Sequence, residues 1–558
     1  MKRLSKSILW KVGLGLLPVL LIGVVFAPMA QAQQAENQIL KIGLKFSDIK
    51  TLNPHRATGS QDRPIAEIVF SGLLRYKPGH LSVDMIEPDL AKTVPVPKIL
   101  PDGRQQWVFN LRRGVTSHPY DGKPGYELTS EDVIYSLRRA ADPKRSAFPG
   151  DYASMTFEAV DRYTIKVTLE KPVSSHLFLP KVANRGGGLI VCKKPIEEKG
   201  DEWFKTHPVG TGPFIFKSYE PQEKVVLVRN ENYFRGVPKL ARVEFFYTPE
   251  VISRELALRK GELDVIEGPF RQSWGEKLEK IPGIITEFAG STIAIVAHFN
   301  MTVEPLNLLK VRQAIAYALN RREFVALYGE RVAEPIYSPV PATRMTGGLT
   351  REECAEKNLL YELNLDKAKE LLVEAGYPKG FSLKVSTSAM WGYKSLYELM
   401  QAQLGKVGIN LKLSVVDHSA FHSRIRQDLD PIVIYSCARA NPDIILTHFY
   451  FSESIVAKGK KPITNFSHIG AVDADGDGKI DSIDDLIEAA RTEEDPEKQL
   501  ELWKEAQRRT LQYMVAYPIM GVGKVFAMKP YVDWGYKLVS IVDALKPTEN
   551  TQILKKEQ

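Results

Sequence analysis

The chain has 558 residues, 44% of them hydrophobic and 25% charged, with a formal net charge of +8. Acidic and basic side chains are interspersed, without a basic tract or a basic motif interleaved with aromatics, which argues against nucleic acid as a partner. The length allows two or three domains, and three scattered cysteines, Cys192, Cys354 and Cys437, have no zinc-type spacing.

Lys2, Arg3, Lys6 and Lys11 precede an apolar stretch at 12–26, and Ala30 and Ala32 place small residues where a signal peptidase reads. The stretch is short and broken by Gly13, Gly15, Pro18 and Gly23, so it reads as a secretory leader cleaved after Ala32 rather than a membrane anchor. With no cysteine at the cleavage site the protein is not a lipoprotein. Removing the four leader cations leaves a mild +4. Export to a periplasm leaves two readings of the cysteines: one disulfide with an odd thiol, or three buried, inert thiols.

The mature chain mixes strand and helix patterns. Residues 39–44, 107–112 and 163–169 read as strands, the last two by their alternation of apolar and polar side chains. Between them Thr129 and Asp132 form the ends of a capping box opening a helix that stops at Asp142-Pro143. Further strands fall at 225–229 and 243–247, amphipathic helices at 308–319, 365–375 and 397–407, and strands again at 409–416 and 432–435. The segment 208–214 holds two prolines and two glycines and then runs into a strand, which makes it a rigid connector and not a phosphate cradle. Arg312 and Arg321, on a helix, are expected to be solvated or ion-paired. No nucleophile elbow, HExxH motif or other catalytic constellation occurs, so the chain does not read as an enzyme.

Taken in order, the runs IVFSGLL at 68–74, EPDLA at 87–91, FNLRRG at 109–114, LTSEDV at 128–133, PVGTGPF at 208–214, NENYF at 230–234, KGELD at 260–264, VRQAIAYALNR at 311–321 and KVGI at 406–409 form a pattern. In that order and spacing the chain resembles bacterial extracellular solute-binding proteins of family 5, which serve ATP-driven importers of oligopeptides, dipeptides and nickel. The resemblance implies an α/β, two-lobed periplasmic binding protein fold of type II-like topology, closing on a hinge around its ligand. Lobe I would take 33–60, 192–298 and 522–558, with an extra subdomain at 61–191, and lobe II 299–521. The crossovers are expected near 298–300 and 521–525. The implied partners are a small solute, a peptide or peptide-like compound, and a permease in the inner membrane, with the protein itself a monomer.

In peptide-binding members of that family an aspartate placed shortly after an aromatic residue pairs with the peptide's ammonium. The corresponding stretch here is YSCARANPD at 435–443, where Ala438 stands in the aspartate's place and Arg439 follows. A buried guanidinium there would favour a carboxylate or phosphate; the other reading pairs Arg439 with Asp443 in water. The candidate ligand-binding residues are therefore Tyr435, Ala438, Arg439, Asn441, Trp391, His418 and His55. The solute would be an acidic, capped or modified peptide, or a small anion. His418 and His422, four apart after Asp417, raise an alternative nickel or metal-chelate reading.

One motif stands outside the family pattern. Counting Asp473 as position one, Asp475, Asp477, Lys479 (by its carbonyl), Asp481 and Asp484 fall at the oxygen positions of a 12-residue calcium loop, with Gly478 at the sharp turn. Only an exiting helix follows, its apolar stripe made by Ile483, Leu486, Ile487 and Ala490. The loop resembles a single dockerin segment, which leaves a calcium-dependent interaction protein as a further alternative. The expectation is a structural Ca2+ within lobe II at 473–484.

Overall fold

The computed structural model describes residues 38–554 apart from 81, 344, 439–440, 457–463 and 538–544, and apart from the side chains of 291, 292 and 391. The leader and Arg439 therefore lie outside the described residues, as does the Trp391 side chain.

A nine-stranded mixed sheet organises the chain. Its strands are β1 (Ile39–Leu44), β2 (Phe214–Glu220), β3 (Lys224–Arg229), β4 (Arg242–Tyr247), β5 (Val265–Glu267), β6 (Ile285–Phe299), β7 (Ile432–Cys437) and β8 (Ala516–Met528), in the order β2-β3-β4-β1-β5-β8-β6-β7, with Ala333–Pro335 paired to β8. Strand β1 runs parallel to β4 and β5, and the other pairings are antiparallel. A separate four-stranded antiparallel sheet contains Gln105–Asn110, Met155–Asp161 and Thr164–Leu169. Trp107 of that sheet stacks on Phe178 at 4.2 Å.

Two hydrophobic cores result. One surrounds β1 and the small sheet, and the other surrounds β7 with the helices Leu309–Ala318, Trp391–Gly405 and Pro442–Tyr450. Strands β6 and β8 belong to both bodies. Near Met528, β8 pairs with β5 and with the start of β6; beyond Gly521 it pairs with the half of β6 that β7 flanks. The ladder is interrupted between Ala289 and Ile293. Opposite that bulge a Cβ on Gly523 would stand 2.1 Å from the Ala289 carbonyl oxygen, so only glycine permits the strands to pass there. His298, which sequence places at the crossover, lies further on in β6, paired with Val433 and Ala516.

A second contact joins the bodies at their rim. The Ser174 amide donates to the Arg491 carbonyl at 2.9 Å, and Gln499 Nε2 donates to Ser174 Oγ at 2.6 Å.

Local predictions hold where local chemistry decides. Thr129 is the N-cap of Ser130–Ala141, its amide donating to Asp132 Oδ2 at 3.1 Å, and Asp142 is the C-cap. The three cysteines are buried. One expectation needs correction. Arg312 and Arg321 are buried rather than solvated, and both donate to backbone carbonyls: Arg312 to Leu306, Asn307 and Tyr513, Arg321 to Pro518, Leu360 and Tyr361. Helix amphipathicity marks a face but not its neighbour, so loop carbonyls pressed against that face were invisible. The connector 208–214 is fixed by close backbone approach at its glycines. A Cβ on Gly210 would sit 2.1 Å from the Val69 carbonyl oxygen, at the end of helix α1 (Arg63–Val69).

Gly210→Ala is expected to cost about 1–3 kcal/mol through this backbone collision, measured as a lowered urea midpoint at unchanged slope.

Candidate ligand cleft and acidic loop

The second lobe offers an aromatic wall. Asp417 caps helix α2 (His418–Arg426), its Oδ1 accepting the amides of Ser419 and Ala420 at 2.9 and 3.0 Å. The cap fixes where the helix begins, and His418 and His422 then fall on one face with ring centroids 4.5 Å apart. Tyr393 packs beside His418 at 5.6 Å, and Tyr435 lies 5.9 Å from His422 and 5.5 Å from both Phe449 and Phe466. Arg426 Nη2 donates to the Tyr435 hydroxyl at 3.3 Å. Burial, with His418 and the Arg426 guanidinium beside it, lowers the His422 pKa to about 4, so its ring is neutral at pH 7.

Tyr435 and His418 are thus brought together. Ala438 is exposed just past the end of β7. Asn441 serves the fold: it is the N-cap of α3 (Pro442–Tyr450), its Oδ1 accepting the Ile444 amide at 2.9 Å. His55 belongs to the other body. It is fully buried, its Nε2–H donates to the Leu189 carbonyl at 3.0 Å, and desolvation lowers its pKa to about 4. The metal reading of the histidine pair loses its third ligand, because Asp417 is engaged by the helix cap and Ser388 Oγ shares a hydrogen bond with His418 Nδ1 at 3.1 Å.

A charged cluster in the other body was missed from sequence. Lys45 and Lys524 both reach Glu267 Oε1, at 3.1 and 2.8 Å. Burial alone would raise the pKa of Glu267, but the two ammonium groups hold it at about 2. Alongside, Arg185 and Lys546 each approach Glu67 at 3.5 Å. The signal lay in single charges within apolar strands: Lys524 interrupts the otherwise uncharged run 516–528, and Glu267 ends β5.

A run of contacts links the two clusters. Lys45 lies over the Phe270 ring at 4.9 Å, and the adjacent Arg271 is close enough to Tyr328 to act on its phenol. The Tyr328 hydroxyl donates to the Gly392 carbonyl at 3.2 Å, next to Tyr393. An open surface depression of about 660 Å³ lies elsewhere on the first body, where Arg75 and Arg235 pair with Glu87 and Glu549.

The acidic loop is partly gathered. Carboxylate oxygens of Asp473, Asp475 and Asp481 lie within 4.8 Å of one another, a separation that one divalent ion can span. The Gly478 amide donates to Asp473 Oδ2 at 2.8 Å. Two other expected ligands are turned away. Asp477 accepts the Lys479 amide at 2.8 Å and its Nζ at 3.2 Å. Asp484, the first residue of α4 (Asp484–Thr492), accepts the Ser452 amide at 3.0 Å and the Ser452 hydroxyl. The apolar stripe Ile483, Leu486, Ile487 and Ala490 is buried as expected.

Comparison with known proteins decides the family. Residues 85–455 match the model described as bacterial extracellular solute-binding proteins, family 5 middle. The chain belongs to that family. The solute-binding protein of an ABC importer is accordingly what this two-lobed α/β chain is, and its relatives are binding proteins. Among them are heme-binding protein A of Haemophilus influenzae, 28% identical over 66% of this chain and 68% of its own length, and the dipeptide-binding protein of Escherichia coli K12, 25% identical over 79% and 81%. Among solved structures, MoaA of A. tumefaciens R10 in complex with mannopinic acid is 37% identical, covers 93% of this chain and 99% of its own, and superposes with a TM-score of 0.74. The periplasmic DppA of Helicobacter pylori in complex with the peptide STSA is 26% identical, with coverages of 94% and 100% and a TM-score of 0.73. Among the described residues of this solute-binding protein no helix is long and apolar enough to cross a membrane.

Glu267→Gln is expected to cost about 3–5 kcal/mol at pH 7, because two ammonium groups lose their shared buried anion. Glu267 is depressed from 4.5 to about 2. Its contribution is therefore full above pH 4.5 and fades as pH falls toward 2. Urea unfolding across that window should show the gap between wild type and variant closing as pH falls.

Proposed function

We propose that this protein captures a small carboxylate-bearing solute, an organic acid or acidic peptide-like compound, and delivers it to an inner-membrane ABC permease. The carrying observation is the end of β7. Where peptide-binding members place an aspartate for the ammonium, Ala438 stands exposed, and Tyr435 three residues before it packs on the neutral His422 ring and accepts a hydrogen bond from Arg426. The likeness to the mannopinic acid complex supports the same chemistry. Capture by closure is supported by β6 and β8 crossing between the bodies and by the Ser174–Gln499 contact at the rim. The leader at 1–32 would send the protein to the periplasm, where it works as a monomer.

The acidic loop is read as a structural calcium site, with Asp473, Asp475 and Asp481 as its carboxylate donors and Asp484 tying the start of α4 to Ser452. The nickel and dockerin-like alternatives lack comparable support. Among the described residues the histidine pair has no carboxylate partner, and the loop is single and set inside a binding-protein frame.

Two measurements test these readings. Thermal melting with mannopinic acid, glutathione and the dipeptide Met-Leu should show stabilisation by one of the two acidic compounds, about 2.7 kcal/mol at a hundredfold excess over Kd; stabilisation by Met-Leu alone overturns the solute class. Chelator should lower the melting temperature by several degrees and leave solute affinity unchanged. An unaltered melting curve sinks the calcium reading.

A further inference from the structure

A charged contact bridges the interruption in the β6–β8 ladder. Past Ala289 the ladder resumes at Ile293, which pairs with Val522, and Ala333 pairs with Val522 from the other side. The Val332 carbonyl accepts the Gly523 amide at 2.7 Å, so the turn carrying Arg331 is fixed to β8 at the glycine where the strands pass. Its side chain reaches the other way. Arg331 donates to Glu279 through both arms of the guanidinium, Nη1 to Oε2 at 2.9 Å and Nη2 to Oε1 at 2.7 Å. The guanidinium also lies over the Phe288 ring, 3.8 Å from its centroid.

Glu279 is the last residue of the helix Gln272–Glu279, which lies between β5 and β6, and its Oε1 also accepts the Thr286 hydroxyl at 2.6 Å. Thr286 and Phe288 belong to the part of β6 before the interruption. Arg331 therefore holds one side of the hinge with its backbone and the other with its side chain. The turn is closely seated: the Arg331 amide donates to Gln272 Oε1 at 2.9 Å, and a Cβ on Gly329, at φ +94°, would stand 2.4 Å from Gln272 Cβ. Glu276, the other carboxylate that Arg331 feels, accepts Gln272 Nε2 at 2.6 Å.

We propose that Arg331 and Glu279 form a strap across the hinge, which holds the conformation seen here and so raises solute affinity without touching the solute. In this same conformation Ser174 meets Gln499 and the Arg491 carbonyl at the rim, so the strap and the rim contact are made together. Bending at Ala289–Ile293 changes the reach from Arg331 to Glu279, and a planar two-bond fork tolerates little misalignment. When one of two conformations captures solute, apparent affinity follows the population of that conformation. The pair is partly exposed, with side-chain exposures of 44% and 33%, so its share is modest, about two- to fivefold in that population. The assignment rests on the capture-by-closure reading above and names the residues that set its balance.

Pulsed dipolar spectroscopy on spin labels at Glu158→Cys and Glu501→Cys, one exposed position on each body, reads the conformation without solute, since the three native cysteines are buried. The population at the separation found here should fall about two- to fivefold in Arg331→Gln and in Glu279→Gln. It should fall no further in the double variant, and it should recover in the exchanged pair Arg331→Glu with Glu279→Arg. Calorimetric titration with mannopinic acid, glutathione and Met-Leu should show a matching loss of affinity for whichever compound wild type binds. Urea midpoints check that the variants fold, and Arg331→Lys, which keeps the charge but not the fork, replaces Arg331→Gln if that variant does not. Distances that the variants leave unchanged overturn the strap and leave the solute class standing. Shifted distances with undiminished affinity overturn its part in capture. Binding of none of the three compounds by wild type overturns the solute class instead, and the distances still decide the strap.

Discussion

The pairing of β6 with β8 is the constraint on which the rest of the molecule depends. Two strands of 15 and 13 residues pass through both bodies, and every backbone group along them needs a partner. Within each body neighbouring strands supply those partners, but between the bodies the two strands have chiefly each other. The ladder breaks there, at Ala289–Ile293, and Gly523 is needed to let the backbones pass. A local interruption in an otherwise continuous ladder concentrates bending at one place, which is what a hinge requires.

Around that hinge, buried cations are handled in two ways. Arg312, Arg321 and Arg254 are surrounded by backbone carbonyls, which satisfy their donors without any acid. Arg312 lies near enough to the acidic loop to feel Asp481, Asp473 and Asp475, yet desolvation dominates and lowers its pKa to about 10. It acts as a pin: its donors tie the start of its own helix to the Tyr513 carbonyl and to Ala474 inside the loop. Lys45 and Lys524 instead share one carboxylate. The first arrangement is complete within the protein. The second sets two ammonium groups against one buried carboxylate.

Legibility from sequence followed the range of the forces involved. The Thr129–Asp132 cap, the strand Ile409–Val416 and the apolar stripe after the acidic loop were readable because their causes lie within a few residues. The aromatic cluster was partly readable, since Tyr435 and His418 both pack against His422. Asn441 and His55 were misassigned for the same reason: a polar side chain near a motif looks available until a helix amide or a carbonyl from a distant segment is found to engage it. Asp477 and Asp484 show this inside the calcium-type loop itself. Their positions in the repeat are right, but Lys479 and Ser452 compete for their oxygens.

By itself, then, the sequence determined the family, the α/β character and the acidic loop, because each is written in the order and spacing of residues along the chain. Tertiary structure alone decided which charges meet. Lys45, Glu267 and Lys524 are separated by hundreds of positions and converge only because β1, β5 and β8 lie side by side in one sheet. Electrostatic energy depends on distance through space and on burial, and neither is encoded in sequence spacing.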